Sequence, residues 1–118
     1  MADSRAMSDV VPSVRQEGDA TVAALRGEID LHNSPQVRTA LLKYLDDNKP
    51  QKLVLNLAEV PYMDSSAIAV LVEALQRLRR TGGKIFLTNL QPRVKGLLEI
   101  ARLDSIFSIV PTEADALK

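Results

Sequence analysis

Residues Lys52 to Thr88 read KLVLNLAEVPYMDSSAIAVLVEALQRLRRTGGKIFLT, and this stretch decides the fold. Lys52 to Leu57 is a compact apolar run, of the kind that forms a strand buried on both faces. Asn56 is its one polar member and needs hydrogen-bond partners if buried. Pro61 breaks the chain after it. From Asp64 onward the period changes: Ala67, Leu71, Ala74, Leu75 and Leu78 recur at helical spacing and share one face. Gly82 and Gly83 then close the helix as a left-handed cap does. Lys84 to Thr88 is a second strand of buried type. Strand, helix and strand in about this length make a parallel βαβ unit.

Working outward, the same alternation continues. Upstream, Val11 to Gln16 and Thr21 to Leu25 are short strands separated by Glu17-Gly18-Asp19, which reads as a hairpin. Ser34 followed by Pro35 predicts a helix with a Ser N-cap and Pro at its first position, running to about Asp47, with Val37, Leu41, Tyr44 and Leu45 on one face. Downstream, Pro92 starts a third helix whose apolar face holds Val94, Leu97, Leu98 and Ala101. Ile106 to Val110 is a last short strand, and Pro111 to Leu117 allows a final helical turn or two. The order β-β-α-β-α-β-α-β-α predicts an α/β fold: a mixed β-sheet of about four to five strands with about four helices packed against it. Residues 1–9 are small and polar and read as a flexible leader, and 10–118 as one domain.

Composition limits what this domain can do. The chain has 118 residues, 46% hydrophobic and 25% charged, with 15 acids balancing 15 bases. Binding to nucleic-acid phosphates needs a basic footprint, and stacking on bases needs more than 3% aromatics. Arg77, Arg79, Arg80 and Lys84 cluster only where a helix ends, and cations there favour the dipole. Cys is absent, which removes disulfides and thiolate metal sites and suits a reducing cytoplasm. No apolar run approaches the roughly 20 residues of a membrane span. The glycines form no nucleotide-binding motif, and the single His, His32, makes zinc a poor expectation. A nucleophile-base set can be written from Ser65, His32 and Asp30, but no G-x-S-x-G elbow supports it. Neither an enzyme nor a cofactor or metal site is expected.

The informative segment is Tyr62-Met63-Asp64-Ser65-Ser66-Ala67, between a buried strand and a helix start. Unpaired amides and the positive dipole end at a helix N-terminus favour an anion, phosphate included. A hydroxyl there can be phosphorylated by another protein that supplies the ATP. The plain alternative is that Asp64, Ser65 or Ser66 is only an N-cap. Asp30, at the end of Gly27-Glu28-Ile29-Asp30, caps or braces the loop into the first helix or else serves function; the residues alone leave both open.

Several segments together resemble the STAS domain family. Leu25-Arg26-Gly27-Glu28-Ile29-Asp30 is similar to its L-x-G-E-L/I-D segment. Leu53 to Leu57 and Val60 resemble the strand that leads into its site. Met63-Asp64-Ser65-Ser66 matches the M-D-S-S of its anti-sigma factor antagonists. Arg80-Thr81-Gly82-Gly83 resembles the R-x-G-G turn after their second helix, and Pro92-Arg93-Val94-Lys95 with Leu103 fits the third-helix region. The resemblance runs from about Val11 to Ala116. It implies a STAS fold and a partner switch. The unphosphorylated antagonist binds an anti-sigma factor that is also a serine kinase, which frees a sigma factor. Phosphorylation of the Ser after the Asp, here Ser65 with Ser66 as the alternative, makes it let go, and a PP2C-type phosphatase resets it. The partner-binding residues implied are Asp30, Asp64, Ser65, Ser66 and Ala67. The protein is expected to be cytoplasmic, a monomer or weak dimer, without direct nucleic-acid contact or membrane insertion. The family also allows a regulatory subunit of a lipid-transport ABC complex or a stressosome-like scaffold. One departure stands out: D-S-S-A-I-A replaces the frequent D-S-S-G-L-G, with Ala67 and Ala69 at the glycine positions.

Overall fold

The computed structural model describes residues 4, 5, 10, 11 and 13–118. Six strands form one sheet: β1 (Ser4–Arg5), β2 (Ser13–Glu17), β3 (Ala20–Arg26), β4 (Lys52–Glu59), β5 (Lys84–Thr88) and β6 (Ser108–Val110), ordered in space as in sequence. β1–β2–β3 pair antiparallel, and β3–β4–β5–β6 pair parallel. The helices are α1 (Ser34–Asn48), α2 (Ser65–Arg80), α3 (Pro92–Ile100) and α4 (Glu113–Leu117). The expected mixed sheet and four helices are therefore present. The two-residue strand β1 is an addition. Apart from that pair, the expected leader 1–9 lies outside the described residues.

Sequential parallel strands joined by crossovers of one hand put their connecting helices on one face of the sheet. The core follows that rule. Leu53, Leu55 and Leu57 of β4 and Ile85 and Leu87 of β5 pack with the buried faces of α1, α2 and α3. The alternate residue, Val54, points the other way and joins Val22, Phe86, Val110 and Ala116 in a small cluster under α4. A strand buried on both faces is what the run Lys52 to Leu57 predicts. Asn56 lies on the α4 side, where its amide donates to Glu113 Oε2 at 2.6 Å and its carbonyl oxygen accepts from the Ala58 amide at 2.9 Å.

α2 ends as its glycines predict. Gly82 has φ +78, and the Gly83 amide donates back to the Leu78 carbonyl at 2.8 Å. A side chain at Gly83 would press on the Pro50 carbonyl, 3.0 Å from an added Cβ, so this turn needs glycine twice. The start of α1 departs from expectation. Its N-cap is Asn33, with no side-chain cap, and Ser34 is already inside the helix with its side chain buried. Asn33 is committed elsewhere, donating to the Glu28 carbonyl and accepting from the Asp30 amide.

Candidate functional site

The site forms where the chain leaves β3 and β4. The register of these strands slips after Ala24, yet pairing continues beyond them. Gly27 turns with φ +83 and donates to the Glu59 carbonyl at 2.9 Å. The Ile29 amide donates to the Tyr62 carbonyl, and the Asp64 amide to the Ile29 carbonyl, both at 3.1 Å. This bridge between Ile29 and Met63 carries the Asp30 loop alongside the start of α2. The buried side chains of Ile29 and Met63 anchor it from below.

Asp64 is the N-cap of α2. Its Oδ1 accepts from the amides of Ser66 at 2.9 Å and Ala67 at 3.2 Å, and from the Ser66 hydroxyl at 2.5 Å. Its Oδ2 accepts from the Leu31 amide at 3.0 Å. These bonds, the Ser66 hydroxyl first, hold the carboxyl below its ordinary value against the desolvation that would raise it. All four donors are neutral, and among the described residues Asp64 has no ion pair. Its charge is solvated by dipoles but not cancelled.

The expectation of an open anion site at this helix start needs correction. Of the four amides that a helix start leaves over, the Asp64 amide is bonded to Ile29 and those of Ser66 and Ala67 to Asp64 itself. Three of the four donors are therefore taken, and among the described residues only the Ser65 amide is left unbonded.

The two serines differ. Ser65 is exposed, and its hydroxyl makes no hydrogen bond among the described residues. Ser66 is partly buried, with its hydroxyl tied to Asp64 and to Ser34 Oγ at 2.9 Å. The residues alone do not separate Ser65 from Ser66; the fold gives the two hydroxyls different exposure and bonding. Asp30 braces its own loop: its Oδ1 accepts from the His32 amide at 2.9 Å, and its carbonyl from the Ser34 amide at 2.8 Å. Ala67 is buried at 2% exposure, so its methyl faces the core and only its amide serves the site. This corrects the expectation that Ala67 meets a partner directly; Ala69 is the exposed one of the two alanines. Among the described residues the His32 imidazole has no hydrogen bond, so Ser65, His32 and Asp30 do not assemble there as a catalytic set.

Two features escaped the sequence reading. Leu31, 74% exposed, stands on the loop held by Asp64. Arg93 stacks over the Tyr62 ring at 4.9 Å to the centroid, beside the same segment. A large aliphatic directly after Asp30 was the available signal for the first.

The STAS domain model matches residues 11–116. Over 96 residues the chain is 29% identical to the anti-sigma F factor antagonist of Paenibacillus polymyxa, covering 81% of this chain and 82% of that protein. Over 89 residues it is 36% identical to the anti-sigma-B factor antagonist of Listeria monocytogenes, covering 75% and 77% respectively. The crystal structure of an anti-sigma factor antagonist from Mycobacterium paratuberculosis matches with a TM-score of 0.80 at 23% identity, over 99% of this chain and 92% of that one. No helix among the described residues is long and apolar enough to cross a membrane.

Proposed function

The chain belongs to the STAS domain family, to its anti-sigma factor antagonist type, and from that premise we propose a regulatory partner switch operated at Ser65. The unphosphorylated protein binds an anti-sigma factor that is also a serine kinase, and so frees a sigma factor. The kinase phosphorylates Ser65, the complex separates, and a PP2C-type phosphatase restores the starting state. The docking face comprises Asp30, Leu31, Asp64, Ser65 and the edge of Ser66.

One observation carries this reading. Among the described residues, Ser65 presents a free, exposed hydroxyl directly beside an ionised carboxylate that no cation compensates. A phosphate there adds about −1.5 to −2 charges at neutral pH. Asp64 has taken the neighbouring amides, so the new charge stays outward and repels Asp64. A partner packed on this face would have to desolvate both. The loop and helix start are bonded into one unit, so release needs no refolding of the antagonist.

The test is phosphosite mapping by mass spectrometry after incubation with ATP and a lysate of the native host. Phosphate is expected on Ser65 and absent from Ser65→Ala. A parent protein that takes no phosphate under several growth conditions overturns the switch.

A further inference from the structure

Ser65 and Ser66 carry the same nucleophile one residue apart, so something must decide which of them a kinase modifies. Resting on the switch proposed above, we infer that Ser34 is a positioning residue in this choice: together with Asp64 it locks the Ser66 hydroxyl into a hydrogen-bonded chain and leaves only Ser65 free to react.

The direction of the chain follows from chemistry. An ionised carboxylate can only accept, so at 2.5 Å from Asp64 Oδ1 the Ser66 hydroxyl must be the donor. Its single proton is then spent, and at 2.9 Å from Ser34 Oγ it can only accept. Ser34 therefore donates. Ser34 is 3% exposed, and Ser66 is the sole hydrogen-bond partner of its hydroxyl among the described residues. A buried hydroxyl without a partner is costly, so the fold enforces this bond. The run of three oxygens, Ser34 to Ser66 to Asp64, joins the starts of α1 and α2.

Phosphoryl transfer from ATP forms a bond from serine Oγ to the γ-phosphorus and breaks the bond from that phosphorus to the bridging oxygen, releasing ADP. The hydroxyl proton passes to a carboxylate base of the kinase. Ser66 donates its proton to Asp64 and accepts from Ser34, so it lacks the freedom to align with either group. Ser65 has both free. Ser34 lies 31 positions from Ser65, is buried and has its hydroxyl bonded to Ser66, so its action runs through Ser66 alone.

Two measurements test this. Phosphosite occupancy is compared between the parent and Ser34→Ala, using ATP and host lysate, with thermal melting as the check on folding. The parent should carry phosphate on Ser65, and in Ser34→Ala the share on Ser66 should rise about fivefold or more, the factor for losing one hydrogen bond. Parent phosphorylation on Ser65 with an unchanged Ser66 share in a folded Ser34→Ala overturns the inference and leaves the switch standing. No phosphate on the parent overturns the switch and this inference with it. The second measurement needs no variant: NMR on the parent should find the Ser66 hydroxyl proton exchanging slowly with water and that of Ser65 exchanging fast. Equal exchange at the two serines also overturns it.

Discussion

Two carboxylates organise two regions of this molecule, and they differ in one respect. Glu113, at the start of α4, accepts from the Arg15 guanidinium at 2.7 Å and from the Asn56 amide at 2.6 Å. It pins α4 across the sheet with its charge paired to Arg15, whose Nε also donates to Glu17 at 3.1 Å. Burial raises its pKa, and the bonds from Arg15 and Asn56 together with the charge of Arg15 outweigh that, so it ends below its ordinary value. Asp64 also ends below its ordinary value, but on neutral donors alone. One network is closed and structural. The other keeps a charge on display beside an exposed hydroxyl. A carboxylate that is hydrogen-bonded without being neutralised is stable alone and intolerant of a second anion, which suits a phosphorylation switch.

The largest expected effect tests that intolerance. Ser65→Asp should weaken binding to the anti-sigma factor at least about 100-fold by calorimetry, the result of a like-charge clash of about 3 kcal/mol. Ser65→Ala should bind as the parent does. If Ser65→Asp binds equally well, charge repulsion is not the release mechanism. Next, Leu31 hangs from Asp64, and nothing comparable hangs from Glu113. Leu31→Ala should cost about tenfold in affinity, as loss of a small apolar anchor does, without changing the melting temperature.

The structural network should answer in the opposite way. Glu113→Ala should lower folding stability by about 1–2 kcal/mol in urea titration, through the lost charge-assisted bonds, and leave partner affinity unchanged. A loss of affinity at equal stability would erase the contrast between the two regions. The smallest effect is on titration. Both carboxyls have folded values below their ordinary 3.8 and 4.5, so the stability each contributes is complete above those values and is lost as pH falls through the lower folded ones. Neither should change stability between about pH 5 and pH 8. In Ser66→Ala the NMR midpoint of Asp64 should move up towards 3.8, because the largest cause of its depression is gone.

How far the sequence reaches can be judged residue by residue. The apolar run around Leu55, the helical stripe from Ala67 to Leu78 and the glycine turn at 82–83 are local signals, and each became the element it predicted. The need of Asn56 for partners was legible, but not that Glu113, 57 residues away, meets it. Ser34 before Pro35 carries the local signature of an N-cap, yet a nearby Asn33 takes that position and the fold turns Ser34 inward to Ser66.

Strand and helix periods, turn residues and the order of elements depend on neighbours within a few positions, so they can be read from the residues alone, together with the family to which they add up. Which serine is free, which amides the cap consumes and which charge stays uncompensated depend on groups brought together by the Ile29–Met63 bridge and by the packing of α1 on α2. Such pairings carry no local signal, because the energy that selects them is earned only when the sheet and its helices close around one core.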